Sequence, residues 1–382
     1  MTKPLICQVL PALSAGGVER GTIDIARALV RKGWGALVVS SGGRLVESLK
    51  EGACHVTLPM HSKNPVQIVK NFCSLLKVAR QRGVSLIHAR SRAPAWSAWW
   101  AAKKLKVPFV TTYHGTYNGT WGIKRFYNSV MTKGDVVIAP SSFIKDHIIA
   151  VHGAHLTPKI RVIHRGVDLS LFAPTSSVDE RAKALRQRWG IAEAATLILL
   201  PGRISRWKGH EDVLQALNLF QEQSPSTNVQ LLILGEVGSH QTFKSELYKL
   251  IVSLGLTDCV HFMPHEMDMP AAYRACDVVM APSREPEAFG RIFAESGAME
   301  RLVISTCHGG AQEVIIPGQT GWLVAPESPE SLSASLKSFL GLTRESRRKM
   351  EKEALEHVRA HFSLEAMEQE TLKIYALLLR QT

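Results

Sequence analysis

Short apolar runs alternate with helical patterns along most of the chain. The first half contains LICQVL, GALVVS, VSLIHA, PFVTTYH, DVVIAP and IRVIH, and the second half contains TLILLP, VQLLILG, CVHFMP, DVVMAP and LVIST. Continuous apolar strands that alternate with helices are typical of a parallel sheet covered by helices on both faces. The pattern therefore predicts an α/β protein with two successive series of strands.

A polar segment separates the two series, and both series open in the same way. The segment FAPTSSVDERAKALRQRWG, residues 172–190, indicates a linker followed by the first helix of a second domain. Each half begins with a strand, a glycine-containing loop and a helix, in ICQVLPALSAGGVERGTIDIARAL and in LILLPGRISRWKGHEDVLQALNLF. We expect two Rossmann-like, doubly wound domains, over residues 1–172 and 173–362, which face a central cleft where a ligand binds.

The composition is that of an ordinary soluble globular protein. The 382 residues are 45% hydrophobic and 21% charged, and the length favours two domains. The six cysteines form no Cys-x-x-Cys pair, so we expect them to be reduced and buried in a cytoplasmic protein. The apolar run over residues 5–13 contains a proline and leads into a helical pattern, which favours a strand over a signal peptide. No run approaches the ~18 apolar residues that span a bilayer.

Positive charge is concentrated in the N-terminal half. The chain carries a formal charge of +13; residues 1–170 contain 24 Lys and Arg against 7 Asp and Glu, whereas residues 171–382 contain 22 against 26. This asymmetry predicts an anionic partner that contacts the N-terminal half.

Two segments of this half are candidates for contact with an anionic membrane surface. One carries lysines at intervals of seven residues, namely Lys63, Lys70 and Lys77. The other carries tryptophans at helical spacing followed by lysines, namely Trp96, Trp99, Trp100, Lys103 and Lys104. Each segment has a plainer interpretation, as a sheet-covering helix with a solvated basic stripe and as a helix face in the core.

The first glycine-containing loop does not carry the dinucleotide-binding fingerprint. The fingerprint Gly-x-Gly-x-x-Gly that would begin at Gly16 requires a glycine at position 18, and this residue is a valine after Gly17. The second strand ends in Ser40 and Ser41, where that fold usually has an acidic residue that binds the ribose. A nicotinamide or flavin dehydrogenase is therefore disfavoured. The loop is either a phosphate- or sugar-binding loop or a plain tight turn.

The corresponding loop of the second half, PGRISRWKG, contains two cations after a strand. Arg203 and Lys208 lie where the carboxyl end of a parallel strand opens onto a ligand site, although the loop lacks the P-loop spacing. An arginine grips two phosphate oxygens and a lysine acts as a point charge, so the pair suits a diphosphate. The alternative is a solvated basic loop.

Two glutamates bracket a short turn in PSREPEAFGRIFAESGAME. Glu287 precedes a predicted helix and Glu295 lies in its second turn, so the two carboxylates do not form a helical pair around one metal. The amides of Phe289, Gly290 and Arg291 lie at the helix N-terminus, which favours anions. We therefore predict that the carboxylates accept hydrogen bonds from sugar or ribose hydroxyls while amides and cations bind phosphate.

Together these segments resemble a known family. EPEAFGRIFAE carries a Glu-x7-Glu motif, and with GGVER, YHG, HRGVDLSLF, GRISRWKG and GQTGWLV it is similar to the retaining glycosyltransferases of family 4, which have the two-domain GT-B fold. The resemblance covers nearly the whole chain. One departure is MERLVIST, residues 299–306, which stands where relatives usually have a Gly-Leu-Pro turn.

The resemblance implies roles for individual residues. Arg203 and Lys208 would hold the nucleotide diphosphate, Glu287 the donor sugar and Glu295 the ribose. His114 would lie near the donor sugar and the reaction centre as a catalytic residue, with Gly17 near the phosphate. The resemblance also implies an N-terminal acceptor-binding domain, a C-terminal donor-binding domain, and a helix over about residues 363–382 that packs back onto the N-terminal domain.

No metal site or resident cofactor is expected. The groups HGAH, residues 152–155, and EMD, residues 266–268, are better explained as surface loops, so we predict a metal-independent enzyme whose co-substrate is a UDP- or GDP-type sugar nucleotide.

The sequence therefore predicts a hexosyltransferase-type enzyme that moves a sugar onto an anionic glycan or glycolipid. The expected pathway is the synthesis of lipopolysaccharide or another cell-envelope polysaccharide, and the enzyme is expected to be cytoplasmic or peripheral on the inner membrane face. A sugar-nucleotide epimerase or a phosphorylase of the same fold is one alternative. A basic nucleic-acid-binding protein is another, although the chain has no known nucleic-acid module.

Overall fold

The computed structural model describes residues 3–14, 16–49, 52–117, 122–236, 241–264 and 266–380. The chain forms two compact units. Unit 1 comprises Met1–Gly166 with Leu364–Thr382, and unit 2 comprises Val167–Ser363. Each unit contains one parallel sheet with helices, so the predicted pair of doubly wound α/β domains is confirmed.

Unit 1 is built on a seven-stranded sheet with the order β3-β2-β1-β4-β5-β6-β7. Its strands are Leu5–Val9 (β1), Gly35–Ser40 (β2), Cys54–Thr57 (β3), Val84–Ala89 (β4), Phe109–Thr112 (β5), Val136–Ala139 (β6) and Ile160–Val162 (β7). Its α-helices are Gly17–Arg31 (α1), Pro65–Arg82 (α2), Arg92–Leu105 (α3), Gly122–Ser129 (α4), Ser142–His152 (α5) and Leu364–Arg380 (α14).

Unit 2 repeats this arrangement with a six-stranded sheet, in the order β10-β9-β8-β11-β12-β13. Its strands are Thr196–Pro201 (β8), Val229–Leu234 (β9), Val260–Met263 (β10), Val278–Ala281 (β11), Leu302–Thr306 (β12) and Gly321–Val324 (β13). Its α-helices are Ser176–Arg188 (α6), His210–Gln223 (α7), Gln241–Ser253 (α8), Met269–Ala275 (α9), Arg291–Ala298 (α10), Ala311–Val314 (α11), Pro329–Leu340 (α12) and Arg344–His361 (α13).

Helix α2 shows how local sequence sets a helix and its buried face. The Asn64 side chain accepts a hydrogen bond from the Val66 amide at 2.9 Å, and a proline occupies the first turn, as is favourable at a helix start. Gly83 ends the helix with φ 66°. Ile68 and Leu75 are buried, whereas the lysines named above are exposed.

Helix α14 completes the core of unit 1 although it comes from the far end of the chain. Tyr375 is fully buried and hydrogen bonds to Nδ1 of His88 on β4 at 2.6 Å. Nε2 of His88 bonds to the Thr112 hydroxyl on β5 at 2.7 Å. Burial, followed by the charges of Arg90 and Arg165, holds the pKa of His88 well below its usual range, so the imidazole is neutral.

The two units meet in sequence at Gly166 and Val167, six residues before the boundary expected from composition. The Val167 amide donates to the carbonyl of Phe362 at 2.8 Å, and Val167 forms a parallel bridge with Ser363. Because these contacts lie within unit 2, the crossing from unit 1 falls inside the HRGVD segment, residues 164–168, and the polar segment that follows belongs to unit 2.

The cysteines are free, as expected, but their predicted burial is only half right. Cys7, Cys259 and Cys276 are buried. Cys54, Cys73 and Cys307 are exposed, because Cys54 starts an edge strand and Cys73 lies on the outer side of α2. In the ranges that the structure describes, none of the helices has the length and apolar character needed to cross a membrane.

We predict that Tyr375→Phe destabilises the protein by about 1–3 kcal/mol, because it leaves Nδ1 of the buried His88 without a partner. Urea unfolding followed by circular dichroism measures the change. Tyr248→Phe is the matched control, since Tyr248 is 47% exposed and its loss should stay within about 0.5 kcal/mol. Equal effects of the two substitutions would show that the Tyr375–His88 bond contributes nothing to the stability of unit 1.

Candidate active site

The strand order of unit 2 reverses between β8 and β11, so the loops that follow these two strands border a crevice. The loop after β8 carries Arg203 and Lys208, and the loop after β11 carries Glu287. Gly209 allows the two loops to approach each other: it has φ 72°, and a Cβ at this position would lie 2.0 Å from the carbonyl oxygen of Pro282. Only glycine fits there.

Lys208 and Glu287 form an ion pair at this crevice. The Lys208 ammonium contacts Oε1 of Glu287, and the Ser283 hydroxyl donates to the same oxygen at 3.0 Å. The two side chains are only 12% and 17% exposed. The Lys208 ammonium also lies 4.3 Å from the centre of the Trp207 ring. Two residues assigned to different parts of a donor by sequence are therefore in direct contact.

Arg203 is the unpaired cation of this group. Its side chain is exposed, and no carboxylate in the described part of unit 2 lies within ion-pair distance of it. The structure thus places one free guanidinium and one neutralised ammonium in the same loop, beside Gly202, whose φ of 132° again favours glycine.

The turn before α10 is shaped by Gly290. This residue has φ 78° at the N-cap of α10, and a Cβ on it would lie 2.0 Å from the Phe293 ring. The neighbouring Phe289 is 3% exposed and packs edge-on against Phe362 with ring centres 5.6 Å apart. The side chain of Phe289 is therefore a core residue, and only its backbone is left to contact a ligand.

Glu295 is held within α10. Arg291 donates to Oε1 of Glu295 from its Nε at 3.1 Å and from its Nη2 at 3.0 Å, and the buried Tyr273 hydroxyl donates to Oε2 at 3.0 Å. Burial, then the Glu295 charge, raises the pKa of Tyr273 well above its usual range. The Arg291 side chain is thus paired with Glu295, whereas the sequence assigned anion binding to the backbone amide of Arg291.

The loop after β12 supports Glu287 and was not identified from the sequence. The Gly310 amide donates to the carbonyl of Glu287 at 2.8 Å, and a Cβ on Gly309 would lie 2.5 Å from that same carbonyl oxygen. His308 bonds through Nε2 to the carbonyl of Ser283 at 2.9 Å. The signal was present as the His-Gly-Gly sequence directly after an apolar strand.

In unit 1, His114 lies after β5 and contacts Arg165, which follows β7. The closest approach joins Arg165 Nη2 to Nδ1 of His114. Arginine can only donate, so we assign the nearer ring nitrogen, Nδ1, as the acceptor and the ring proton of the neutral imidazole to Nε2, which lies 3.4 Å from the same Nη2. Burial, then Arg165 and Arg90, holds the pKa of His114 well below its usual range. His114 is therefore suited to donate a hydrogen bond from Nε2.

Arg90 and Arg165 are site residues that the sequence did not identify. Arg90, directly after β4, is 2% exposed and donates to the Gln8 side chain at 2.9 Å, while its Nε has no partner among the described residues. Helix α1 approaches both guanidinium groups at Gly21, where a Cβ would lie 2.7 Å from Arg165 Nη1 and 3.1 Å from Arg90 Nη2. The available signal, a basic residue at or shortly after the end of an apolar strand, does not by itself distinguish either arginine from a solvated one.

Gly16 and Gly17 begin α1, in the loop after β1. Gly16 has φ 129° and is the N-cap without a side-chain capping bond, and Gly17 is the first helical residue. Since the strand order of unit 1 reverses between β1 and β4, this loop and Arg90 both lie at the switch point of that unit.

Residues of the HGAH segment, 152–155, and of the EMD segment, 266–268, have structural roles. Asp268 caps α9 and accepts from Arg181 at 2.6 Å, and Glu266 pairs with Arg188. His152 bonds to the Tyr113 hydroxyl at 3.3 Å. Within the described ranges no three His, Cys, Asp or Glu side chains gather at metal-binding distance.

The fold with its two switch points and the comparisons with known proteins together identify a glycosyltransferase of the GT-B type. Residues 15–171 match the family described as Glycosyltransferase Family 4, and residues 182–357 match Glycosyl transferases group 1. The chain is 35% identical to a glycosyltransferase from Rickettsia africae, over the full length of both chains and with a TM-score of 0.90. The protein therefore belongs to the family 4 glycosyltransferases, as the motifs predicted.

Two further proteins are similar to the chain at lower identity. A D-inositol 3-phosphate glycosyltransferase from Xylanimonas cellulosilytica is 28% identical, with 85% of this chain and 84% of that protein covered. Alr3699/HepE from Anabaena, solved with UDP and glucose, is 22% identical with a TM-score of 0.85, covering 97% of this chain and 99% of that chain. The second shows the shared fold.

We predict that Arg165→Gln raises the pKa of His114, because it removes a neighbouring positive charge, while burial still keeps this pKa below its ordinary value. Titration of the imidazole C–H resonances by NMR measures the change. Because the pKa of His114 is lower in the folded than in the unfolded state, the unfolded protein binds the extra proton when the pH falls below the usual pKa of histidine. The free energy of unfolding of the wild type therefore decreases as the pH decreases. This decrease should be smaller in Arg165→Gln, where the two pKa values are closer.

Arg161→Gln is the control for this prediction, since it removes the same charge from an exposed position on β7. A His114 titration that is the same in Arg165→Gln and in Arg161→Gln would show that Arg165 does not set the charge state of His114.

Proposed function

We propose that this glycosyltransferase uses a nucleotide-diphosphate sugar, of UDP or GDP type, and transfers the sugar with retention to an anionic glycan or glycolipid acceptor. The observation that carries the donor proposal is the Lys208–Glu287 pair at the switch point of unit 2, beside the free Arg203. This site combines cations for a diphosphate with a carboxylate for sugar hydroxyls.

The proposed chemistry needs charge stabilisation more than it needs a strong base. The bond between the anomeric carbon and the β-phosphate oxygen breaks, and negative charge develops on the diphosphate, where Arg203 and Lys208 neutralise it. The acceptor hydroxyl attacks from the same face, and its proton passes to the departing phosphate oxygen. No metal is part of the proposal.

Glu287 and Glu295 have different surroundings, which fits different roles. When the donor phosphate pairs with Lys208, Glu287 loses its cation and can accept hydrogen bonds from the sugar hydroxyls. The Ser283 hydroxyl continues to donate to Oε1 of Glu287. Glu295 stays fixed by Tyr273 and Arg291 and is proposed to bind the ribose. We propose that the Nε2–H of the neutral His114 donates to substrate at the reaction centre.

The anionic acceptor is supported by the charge of unit 1. Unit 1 holds 26 Lys and Arg against 9 Asp and Glu, whereas unit 2 holds 20 against 24. Arg90 and Arg165 add positive charge beside His114. The relative named for D-inositol 3-phosphate has a phosphorylated molecule in its name, which agrees with this class. A lipopolysaccharide core or another phosphorylated glycolipid of the cell envelope fits the same surface.

Peripheral binding to an anionic membrane is proposed for helices α2 and α4. Val66 and Val69 of α2 are 64% and 50% exposed beside Lys70, and Ile123 and Phe126 of α4 are 88% and 66% exposed. Both helices contact α3, through the pairs Phe72–Trp100 and Phe126–Trp96. Exposed apolar side chains among lysines are typical of a surface that rests in a lipid headgroup layer.

We predict that Lys208→Ala weakens binding of the donor nucleotide and lowers the rate of sugar transfer, by about 10²-fold, because it removes one charge-stabilising group. Calorimetry with uridine, guanosine and adenosine diphosphate sugars, followed by a product assay, measures both quantities and also distinguishes transfer from epimerisation. Arg206→Ala, in the same loop but 59% exposed, is the control. Unchanged donor affinity and rate in Lys208→Ala would remove the crevice of unit 2 from the donor site.

We predict that replacing Lys63, Lys70 and Lys77 with glutamate weakens binding to anionic vesicles by about 100-fold or more, since each lysine near such a surface contributes ~1 kcal/mol. Vesicle co-sedimentation with phosphatidylglycerol measures binding, and donor affinity should not change. The control replaces the exposed Lys3, Lys32 and Lys159, which carry the same charge outside α2 and the turn before it. Equal loss in both triple variants would contradict a specific role for α2.

A further inference from the structure

The turn after α10, where the sequence departs from the usual family pattern, has a strained backbone with charged residues. Glu300 has φ 55°, a conformation that favours glycine. Its carboxylate accepts from Arg274 at 2.9 Å, which offsets part of the strain. The guanidinium of the next residue, Arg301, donates hydrogen bonds to the carbonyl oxygens of Cys276, Glu300 and Arg274 at 2.7–2.9 Å.

These residues form the floor of a basic groove in unit 2. The groove has a volume of about 810 Å³, within the range of small-molecule sites. One side of α13 forms its wall. The charged residues that line it are Arg274, Arg301, Arg344, Arg347, Arg348, Lys352, Arg359, Glu300, Glu351 and Glu356.

All three carboxylates of the groove are already occupied by cations. Glu300 pairs with Arg274 and Glu351 with Arg347 at 2.8 Å, and the Lys352 ammonium lies 3.7 Å from Glu356. Four guanidinium groups remain, and no carboxylate of the described residues lies within ion-pair distance of them. They belong to Arg301, Arg344, Arg348 and Arg359.

The uncompensated charge of the groove stands out against its surroundings. Unit 2 as a whole is acidic, with 20 Lys and Arg against 24 Asp and Glu, yet these four guanidinium groups line one small groove. Arg301 bonds only to neutral carbonyls, and burial lowers its pKa. Guanidinium groups match phosphate oxygens in geometry and can bind them in pairs.

We propose that this groove binds a small anion with two or more phosphate groups, at a site separate from the crevice of Lys208 and Glu287. Two residues that line the groove lie near the ends of unit 2. Pro174 lies seven residues after Val167, where unit 2 begins, and Arg359 lies four residues before Ser363, where it ends. A bound polyphosphate therefore contacts the start and the end of unit 2 together. The proposal does not depend on the identity of the donor or of the acceptor.

The test is calorimetric titration of the full chain with tripolyphosphate at low salt. Arg344→Glu combined with Arg348→Glu should weaken binding at one site by about tenfold or more, because each arginine supplies a charge-assisted contact. The loss should shrink as salt is raised, since the groove is open to solvent. Lys349→Glu is the matched control, on the same helix and 76% exposed but outside the groove.

The same titration on Arg203→Ala combined with Lys208→Ala separates the groove from the donor crevice, since that variant should keep the groove site. Unfolding midpoints of all variants establish that the exposed substitutions leave the fold intact, and Arg344→Ala with Arg348→Ala replaces the glutamate pair if they do not. Binding that is equal in the groove variant and in Lys349→Glu would overturn the proposal.

Discussion

The reversal of strand order beside the first strand of each sheet is the constraint on which the rest of the structure depends. From β1 and from β8 the strands first add on one side of the sheet, and then β4 and β11 add on the other side. The loops that follow β1 and β4, and those that follow β8 and β11, therefore lead in opposite directions. In the resulting crevice, the backbone amides at the N-termini of helices are accessible while every strand and helix keeps its own hydrogen bonds. In unit 2 the cations and Glu287 lie at this point, and in unit 1 the Gly16 loop and Arg90 do.

Within the crevice of unit 2, the charged groups compensate one another before any ligand arrives. A partly buried ammonium or carboxylate is costly when alone, and the Lys208–Glu287 and Arg291–Glu295 pairs avoid that cost. Only Arg203 is left exposed and unpaired in its loop. Under the proposed function, a diphosphate would first meet Arg203 and then displace Glu287 from Lys208, so that binding of phosphate would release a carboxylate.

The sequence was sufficient for the buried strands and insufficient for the edges. Eleven apolar runs correspond to strands, but β3 and β13 were not among them. Cys54–Thr57 has two exposed and two half-buried residues, so an edge strand like this one produces no continuous apolar run. The loops after β8 and β11 were identified because strand, glycine and charge coincide there.

The arginines beside His114 could not be identified in the same way. Arg90 and Arg165 are 75 residues apart in sequence, and each alone is indistinguishable from a solvated basic residue after a strand. Their meeting depends on strand order and on Gly21, which brings α1 close to both. The contact of Lys208 with Glu287 likewise follows from the adjacency of β8 and β11, which no local pattern encodes.

The position of α14 has a consequence for the order in which the protein can be completed during synthesis. Unit 2 is entire once Ser363 has been made, whereas unit 1 still lacks Tyr375, the partner of His88. At ribosomal rates of about 5–20 residues per second, the 197 residues of unit 2, Val167–Ser363, separate the two parts of unit 1 by roughly 10–40 s. Unit 1 is thus the last to close its core, and the apolar residues against which α14 packs wait for that helix until the final part of synthesis.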